Sequence, residues 1–342
     1  MHRCLGLAML GGGNVSPNPM VGAVLVHQGS IIGEGYHRYF GGPHAEVNCI
    51  NSVSEANRPF IRESTIYVSL EPCNHHGKTP PCSDLIIRHG IPAVVVACKD
   101  PFAAVNGAGL LKLQQAGIHV ITGVLEKEAM DLNRRFFTFH QQHRPYIILK
   151  WAQSQNKKIA AGDGSPVKIS DPLTDRLVHR WRTEEAAIMV GTNTVLKDNP
   201  ALTARWWPGK HPWRIMIDRH LKIPAGSRLL DNTAPTIILN QVIQKQEGNL
   251  TYHQYDTDRP VITETCTLLY REGLLSLIVE GGAVLLQSFI DAGLWDEARV
   301  ITNNQLDIVN GRNAPELSGA VCIHTEYLRN DEISYFRRAP FR

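Results

Sequence analysis

The stretch HAEVNCI at residues 44–50 is followed, after the run STIYVSL at residues 64–70, by EPCNHHGKTPPCSD at residues 71–84. The middle run is short, apolar and rich in β-branched residues, which is typical of a buried strand. On either side of it, PHAEVNCINSV and CSDLIIRHG have the apolar spacing that predicts two helices. A helix, a strand and a second helix in this order indicate an α/β layer, with polar side chains concentrated near the ends of these elements.

The same alternation continues outward along the chain. MVGAVLVHQGSIIGEGYH at residues 20–37 predicts a hairpin, and AVVVAC and HVITGVL predict two more strands with a helix between them. A single charged helix is predicted over residues 126–143. The pattern then starts afresh at RPYIILKWA, residues 144–152. We therefore predict one α/β domain over residues 1–143 and a second over residues 144–342.

Composition and charge limit the class of protein. The chain has 342 residues, of which 43% are hydrophobic and 20% are charged, as expected for a soluble globular protein with two domains. Its 35 basic and 32 acidic residues give a net charge of +3 without any basic run. This balance argues against nucleic acid as a partner and suits a small anionic substrate.

Cysteine usage and the N-terminal segment bear on location. The seven cysteines are an odd number scattered over a long chain, unlike a secreted disulfide framework, so we expect a reducing cytoplasm. The apolar run CLGLAML is too short to span a membrane and lacks the context of a signal peptide, so no membrane partner is expected. We also expect a homo-oligomer, and a dimer in particular.

Three residues in the opening stretches have the chemistry of zinc ligands, namely His44, Cys73 and Cys82. One imidazole and two thiolates leave a fourth tetrahedral position for water, which is typical of a catalytic zinc site. Zinc lowers the pKa of such a water to about 7, and Glu46, two residues beyond His44, is placed to carry its protons. The sequence therefore predicts one zinc ion per chain, with Glu46 as a catalytic residue.

Taken singly, these residues carry little weight. His-x-Glu is common by chance, and an isolated cysteine is more often a small buried hydrophobe than a ligand. Zinc-dependent nucleobase deaminases combine His-x-Glu with a later Pro-Cys-x-x-Cys. Here HAE and PC occur in that order, but eight residues, NHHGKTPP, separate the two cysteines. The order favours deaminase chemistry, and the longer insert departs from the general pattern.

Longer motifs resemble one family. SPNPMVGAVLV, GEGYH, HAEVNCI, LEPCNHHGKTPPCSDLII and DPF resemble the deaminase half of the bifunctional riboflavin-biosynthesis enzymes. LKWAQS, VGTNTVLKDNPALTARW, RIMID and LIVEGGAVLLQSFIDAGLWDE resemble the reductase half, in the expected order. The resemblance implies a cytidine-deaminase-like α/β/α domain followed by a dihydrofolate-reductase-like α/β domain.

The resemblance also implies two reactions on a phosphorylated pyrimidine nucleotide. The first is zinc-dependent deamination of 2,5-diamino-6-ribosylamino-4(3H)-pyrimidinone 5′-phosphate. The second is NADPH-dependent reduction of the ribosylamino group to a ribitylamino group. Matching positions imply that the deaminase contacts its substrate through Asn18, His37, Lys78 and Asp100. As an alternative, Asn18 and Asp100 would only shape the turns before Pro19 and Pro101, and Lys78 would be an ordinary exposed lysine.

In the second half, no Gly-x-Gly-x-x-Gly follows a strand, which argues against a Rossmann fold. The segment IVEGGAVLLQSF instead predicts a strand, a Gly-Gly turn and a helix whose free N–H groups can meet a cofactor phosphate. The resemblance implies that Lys150 and Glu280 are catalytic. The implied substrate contacts are Pro166, Arg182, Leu202, Arg205 and Glu280. The implied cofactor contacts are Ala152, Lys168, Thr194, Asp198, Arg219, Gly282, Ala283, Val284, Leu285, Leu286, Gln287 and Ser288.

The second half departs from the family at two places. Gln155, Asn156 and Lys157 stand where the family has a pattern like Ser-Leu-Asp-Gly, and Lys168 stands where an aromatic residue would contact the cofactor. These departures bear on cofactor geometry in the reductase half. They leave the zinc chemistry of the first half untouched.

Three alternative functions remain at this point. The second half could be a diverged and inactive reductase-like domain. A nucleic-acid base deaminase would share His44, Glu46 and the two cysteines, but its basic face is missing. A non-enzymatic module with structural zinc would need a fourth protein ligand, for which the nearby residues are His75, His76 and Cys49.

Overall fold

The computed structural model describes residues 1–74, 80–102 and 106–339. The chain divides into two compact units, residues 1–143 and residues 144–342. Each unit buries its own apolar clusters around its own sheet. Each therefore has the core that an independent domain requires.

The first unit is built on a sheet of five strands, counted over its described residues. These strands are β1 (Gly22–His27), β2 (Ser30–Tyr36), β3 (Thr65–Val68), β4 (Ala93–Val96) and β5 (His119–Thr122). The sheet order is β2-β1-β3-β4-β5. β1 and β2 form the predicted antiparallel hairpin, whereas β3, β4 and β5 run parallel. Parallel strands need crossover connections, and helices supply them here.

Helices flank this sheet, and two of them begin at predicted zinc ligands. They are α1 (His2–Met9), α2 (Ala45–Asn51), α3 (Cys82–Arg88), α4 (Ala108–Gln115), α5 (Glu126–Leu132) and α6 (Arg134–Gln142), with a 3₁₀ helix at Glu55–Glu63. His44 is the residue that precedes the first turn of α2, and Cys82 is the first residue of α3. Both predicted helices around the opening stretches are thus confirmed.

The single helix predicted over residues 126–143 is wrong, because the chain breaks at Asn133 into α5 and α6. The Asn133 side chain accepts a hydrogen bond from Met20 N at 2.8 Å and donates one to Met20 O at 2.9 Å. Together they satisfy the backbone N–H and C=O groups of Met20, which is 113 positions away in the sequence. A helical pattern records local spacing only, so this tertiary contact was not visible in it.

The second unit is built on a sheet of ten strands, counted up to residue 339. Its strands are β6 (Tyr146–Ser154), β8 (Ala187–Val190), β9 (Trp213–Ile217), β10 (Thr236–Asn240), β11 (Lys245–Glu247), β12 (Leu250–Gln254), β13 (Ser276–Val279), β14 (Glu297–Asn303), β16 (Ala320–Leu328) and β17 (Asp331–Arg338), while β7 (Lys158–Ala160) and β15 (Arg312–Asn313) pair with each other. The sheet order is β11-β12-β10-β9-β8-β13-β6-β14-β17-β16, and the strands from β12 to β14 in this order are all parallel. Their carboxyl ends therefore meet along one edge, where ligands bind in open α/β sheets.

Helices cover both faces of this sheet, so its central strands are apolar on both sides. The helices are α7 (Pro172–Glu184), α8 (Thr192–Asp198), α9 (Val261–Arg271) and α10 (Ala283–Asp291), with a 3₁₀ turn at Arg228–Leu230. Along β6, Ile147 and Leu149 enter one apolar cluster and Ile148 enters the other. Among the described residues, no helix combines the length and apolar character needed to cross a membrane.

Candidate active sites

The three predicted zinc ligands lie together in the first unit. His44 Nδ1 is 3.5 Å from Cys73 Sγ and 3.4 Å from Cys82 Sγ, and the three ligand atoms lie within 4.8 Å of one another. The Cys82 backbone N–H donates to Cys73 Sγ at 3.3 Å, which fixes the loop after β3 against the start of α3. An imidazole and two thiols converging in this way form a ligand set suited to zinc.

The pKa shifts of the two cysteines also support a metal ion at this ligand set. A hydrogen bond from the Cys82 thiol lowers the pKa of Cys73 to about 4, while this contact and burial raise the pKa of Cys82. Two adjacent thiolates repel each other, so without a cation only one of the two sulfurs ionises readily. A divalent metal removes this conflict because a coordinated thiol is deprotonated.

Glu46 lies in the first turn of α2 beside this cluster and is only 3% exposed. Burial raises the pKa of its carboxyl, and the neighbouring His44 acts in the opposite direction. The nearby Cys82 side chain also acts to lower the pKa of this carboxyl. The arrangement sets a carboxyl group with raised proton affinity next to the ligand set, which is what a proton carrier needs.

Asn18 and His37 lie together near the zinc ligands. The Asn18 side-chain nitrogen is 3.0 Å from His37 Nε2, and His37 Nδ1 is 3.0 Å from Pro43 O. Because a carbonyl oxygen only accepts, His37 donates from Nδ1, and its Nε2 accepts from the Asn18 amide. Burial lowers the pKa of His37, which favours the neutral form of the ring. The Asn18 amide oxygen is thereby oriented away from His37.

The other two predicted deaminase contacts differ in what the structure describes. Asp100 is buried, its carboxylate accepts from Phe102 N at 2.8 Å, and burial raises its pKa to about 6. Lys78 lies outside the described residues. Sequence reasoning missed the neighbouring Glu71, whose buried carboxylate accepts backbone N–H bonds from the Asp100 turn and from the start of α4. Glu71 lies in the LEPC motif, but its role was not visible there because its partners are backbone groups far along the chain.

In the second unit, a cavity of about 700 Å³ follows the carboxyl ends of the central parallel strands. Gly281 and Gly282 line it between β13 and α10, and Gly281 has φ +125°, a conformation that favours glycine. The predicted residues that line this cavity are Lys150, Ala152, Pro166, Lys168, Thr194, Asp198, Arg219, Glu280, Gly282, Ala283, Val284, Leu285, Leu286 and Ser288. Gln287 is not among the lining residues. Its side-chain amide donates a hydrogen bond to the Asp291 carboxylate at 2.7 Å and accepts one from Glu316 N at 2.9 Å.

This cavity fits a dinucleotide on two structural grounds. It is long and mostly apolar, with glycines at the turn before α10, where backbone N–H groups are free to meet a phosphate. Added Cβ atoms at this turn would approach the Thr194 hydroxyl, at 3.4 Å from Gly282 and 3.9 Å from Gly281. The absence of side chains at both positions keeps the backbone open to a ligand.

Lys150, Arg182 and Glu280 form a buried charge cluster at the end of this cavity. Arg182 donates to both carboxylate oxygens of Glu280, at 2.8 and 2.7 Å, and Lys150 Nζ lies 3.7 Å from Glu280 Oε2. Burial raises the pKa of Glu280, but the two cations outweigh it and hold this pKa at about 2. Burial lowers the pKa of Lys150, and Glu280 opposes that shift. Arg182 is thus engaged with a carboxylate inside the protein.

A second, smaller cavity of about 240 Å³ also has Lys150 in its lining, together with Leu202 and Arg205. Sequence reasoning missed Arg228, which lines the same cavity. Burial and the charges of Arg228 and Arg182 lower the pKa of Arg205, so several cations crowd here. Such a cluster favours an anionic ligand.

The two departures from the family pattern have local partners. The Asn156 side chain accepts a hydrogen bond from Ser154 Oγ at 2.5 Å. It also donates to Ile308 O and accepts from Ile308 N, both at 3.2 Å, so it holds the turn between β6 and β7. Lys168 lines the larger cavity and forms an ion pair with Asp175. Only the second departure therefore lies where a cofactor would bind.

His179 provides a pH-dependence prediction for the second unit. Burial and the charges of Arg182 and Arg205 lower its pKa to about 4, and its Nδ1 accepts from Trp206 N at 3.4 Å. Between pH 6.5 and about 4 the unfolded chain therefore binds a proton that the folded unit rejects, so stability falls as pH falls. We expect His179→Gln to flatten this dependence by up to about 1.4 kcal/mol per pH unit.

The measurement uses tryptophan fluorescence during urea unfolding. All six tryptophans lie in the second unit, at positions Trp151, Trp181, Trp206, Trp207, Trp213 and Trp295. The signal therefore reports this unit alone. Equal slopes for the parent and the His179→Gln variant between pH 4 and pH 6.5 would contradict the prediction.

Comparison with known proteins relates both sites to one family. Residues 1–98 match the cytidine and deoxycytidylate deaminase zinc-binding region, and residues 145–305 match the RibD C-terminal domain. The riboflavin biosynthesis protein RibD of Aquifex aeolicus (strain VF5) is 42% identical over 305 residues, which cover 86% of this chain and 83% of that protein. The RibD of Escherichia coli (strain K12) is 36% identical over 317 residues, covering 87% and 84%.

Solved structures agree with these matches. The diaminohydroxyphosphoribosylaminopyrimidine deaminase/5-amino-6-(5-phosphoribosylamino)uracil reductase of Thermotoga maritima gives a TM-score of 0.89 at 35% identity, covering 99% of this chain and 97% of that chain. Acinetobacter baumannii RibD gives 0.90 at 29% identity, covering 99% and 98%. The chain therefore belongs to the RibD family of riboflavin-biosynthesis enzymes, in which a zinc-dependent pyrimidine deaminase is joined to an NADPH-dependent reductase.

Proposed function

We propose that His44, Cys73 and Cys82 hold one zinc ion and that Glu46 carries the protons of deamination. Zinc, when bound, supplies the Lewis acidity that makes water a nucleophile at neutral pH. The Glu46 carboxyl would take a proton from the attacking water and pass it to the ring nitrogen. It would then pass the proton of the newly added hydroxyl to the amino group, so that the C–N bond breaks, ammonia leaves and a carbonyl remains. The observation that carries this proposal is the buried Glu46 beside three ligand atoms within 4.8 Å of one another.

We propose that the amide oxygen of Asn18 accepts a hydrogen bond from the pyrimidine ring of the substrate. Support comes from the hydrogen bond between its amide nitrogen and His37, because this bond fixes which end of the amide is free. His37 then acts through Asn18, since its own two nitrogens are already paired within the protein. The buried carboxylate of Asp100 would accept a hydrogen bond from the nucleotide, and Lys78 is proposed as a contact of the 5′-phosphate.

We propose that the larger cavity of the second unit binds NADPH and the smaller cavity binds the deaminated nucleotide. The carrying observation is that Lys150 lines both cavities, as expected for a residue between a hydride donor and its acceptor. NADPH, when bound, supplies the hydride for C1′ of the ribose. Reduction at C1′ breaks its bond to O4′, and O4′ then takes a proton, for which Lys150 Nζ is the proposed donor.

The charged side chains of the smaller cavity suggest where the 5′-phosphate of the nucleotide binds. We assign its 5′-phosphate to Arg205 and Arg228, because Arg182 is engaged with Glu280. Within the part of the chain that the structure describes, neither Arg205 nor Arg228 forms an ion pair with a carboxylate. Glu280 orients Arg182 and Lys150 and lowers the cost of burying both charges.

The sheet order supports one direction for NADPH along the larger cavity. The lining runs from Lys150 on β6, past Gly281 after β13 and Gly191 after β8, to Arg219 after β9. A further cavity of about 400 Å³ shares Arg219 with it and is also lined by Arg259, just before α9. We therefore propose that the nicotinamide lies at β6 and the adenosine at β9, with its 2′-phosphate between the two arginines.

We expect Arg259→Ala to weaken NADPH binding by about tenfold or more and to leave NADH binding nearly unchanged. One charge-assisted contact with phosphate is lost, and only NADPH carries that phosphate. Titration of each cofactor, followed by quenching of the tryptophan emission, measures both affinities. Arg271→Ala at the far end of α9 is the control and should change neither affinity. Equal losses for NADPH and NADH would rule out a contact with the 2′-phosphate.

We also propose a homodimer in the cytoplasm. The edge strand β16 exposes Val321, Ile323 and Tyr327 by 53%, 49% and 71%. An apolar edge strand of this kind is suited to pairing with another chain. The predicted zinc site needs reduced thiols, which supports a reducing compartment. Analytical ultracentrifugation of the purified chain should show a dimer that the Val321→Lys substitution weakens, and a parent chain that sediments as a monomer would exclude it.

A further inference from the structure

Glu71 is a buried carboxylate that directly precedes the Pro72-Cys73 segment of the zinc site. It is 4% exposed, and within residues 1–74, 80–102 and 106–143 no basic side chain forms an ion pair with it. Backbone N–H groups instead donate hydrogen bonds to its carboxylate. Burying a carboxylate is costly unless it is fully hydrogen-bonded, so these N–H bonds are what holds Glu71 in place.

The four backbone donors to Glu71 come from two places in the chain. Asp100 N donates to Oε2 at 3.2 Å, which fixes the turn that carries the Asp100 carboxylate. Gly107 N donates to the same oxygen at 2.9 Å, and Gly109 N donates to Oε1 at 3.0 Å, with Leu110 N more distant at 3.4 Å. One carboxylate therefore ties both the Asp100 turn and the first turn of α4 to the zinc-binding segment.

Close packing reinforces this connection. A Cβ added at Gly109 would lie 2.0 Å from Pro72 O and 3.3 Å from Glu71 Oε1. The start of α4 thus rests directly on the backbone that leads into Cys73. Backbone bonds such as Glu71 N to Cys98 O at 3.0 Å hold the same two segments, and the contact at Gly109 together with the bonds to the Glu71 carboxylate adds to them.

We propose that Glu71 is a positioning residue of the deaminase, which sets Asp100 at a fixed distance from the zinc-binding segment and so controls affinity for the nucleotide. The inference rests on the proposed contact between Asp100 and the substrate. A carboxylate is needed because both of its oxygens accept, whereas a glutamine amide would turn an NH₂ group towards backbone donors. Glu71 itself touches neither the metal nor the substrate.

The test compares Glu71→Gln, Asp100→Asn and the double variant in the full chain. We expect Glu71→Gln to raise KM for the diamino pyrimidinone nucleotide by about tenfold or more, the loss of one charge-assisted bond. Its kcat and zinc content should stay near those of the parent. Because both residues act through the same contact, the double variant should be no worse than Asp100→Asn alone.

Two further variants separate positioning from general stability. Gly109→Ala displaces the same segment without changing any charge, so its KM should rise as well, even where Glu71→Gln fails to fold. Leu113→Val, on the buried side of α4, should lower the melting temperature and leave KM unchanged. Reduction of the deaminated nucleotide by the second unit is the internal control and should be unaffected in every variant.

The outcomes separate this inference from the proposed function. If Asp100→Asn leaves KM unchanged, the proposed contact of Asp100 with substrate is wrong, and the positioning inference fails with it. If Asp100→Asn raises KM but the effects of the two substitutions multiply, Asp100 binds substrate and Glu71 does not position it. Loss of zinc in Glu71→Gln would instead assign Glu71 to support of the metal site.

Discussion

Glu46→Gln is expected to abolish most deamination while the protein keeps its zinc. The variant removes the proposed proton carrier and leaves His44, Cys73 and Cys82 in place. General acid–base groups contribute about 10²-fold to 10⁴-fold, so we expect a loss of roughly 10²-fold or more in kcat. Release of ammonia from the diamino pyrimidinone nucleotide measures the rate, and metal analysis of the same sample measures the zinc.

Two controls sharpen this prediction. Cys73→Ser should lose zinc as well as activity, so the pair of variants separates the proton carrier from the metal ligand. Glu46→Gln should still reduce the deaminated nucleotide with NADPH at close to the parent rate, because the second unit has its own core and its own cavities. Near-normal deamination in Glu46→Gln would show that another group carries the protons.

Glu280→Gln is expected to have the largest effect in the second unit, on both stability and reduction. The carboxylate holds two cations, and its removal leaves Lys150 and Arg182 buried beside each other. Breaking a buried ion pair by removing one partner costs about 3–5 kcal/mol. We expect the free energy of unfolding of this unit, followed by tryptophan fluorescence, to fall by that amount. Reduction of the deaminated nucleotide should fall by roughly 10²-fold or more.

The pH dependence of this variant provides an independent check. The pKa of Glu280 is held at about 2, below the ordinary value of 4.5. The stability that this carboxylate contributes is therefore complete above pH 4.5 and is lost as pH falls through about 2. Glu280→Gln should lack that contribution, so its stability should approach that of the parent at the acid end.

The matched control is another largely buried ion pair of the unit, Arg144 and Asp296, whose side chains are joined by two hydrogen bonds at 2.6 and 2.7 Å. Asp296→Asn should lower stability and leave reduction of the folded enzyme unchanged, because neither residue lines a cavity described above. A Glu280→Gln variant that is as stable as the parent and still reduces the nucleotide would refute both parts of the prediction.

Much of the fold was predictable because apolar spacing records the local environment of each element. The hairpin at β1 and β2, the helices at His44 and Cys82, and the α/β class all follow from patterns shorter than twenty residues. The break at Asn133 did not follow, because it depends on Met20. A contact between residues 113 positions apart leaves no mark on the spacing of either segment.

The sequence by itself determined the zinc chemistry. His44, Cys73, Cys82 and Glu46 are recognisable because metal binding and proton transfer demand particular side chains in a particular order. The resemblance of longer motifs to one family implied the deaminase before the reductase. The zinc prediction needed only residue types and their order, since each of these groups has the chemistry in its own side chain.

Only the tertiary structure decided which charges are available to a ligand. Arg182 lines the smaller cavity as the predicted substrate contact would, but its guanidinium is also paired with Glu280, 98 residues away, and Arg228, which was not predicted, lines the same cavity. Glu71 likewise gained its importance from backbone groups near residue 109. The physical reason is common to these cases: the free energy of a buried charge depends on its partners, and the partners are chosen by how distant elements pack.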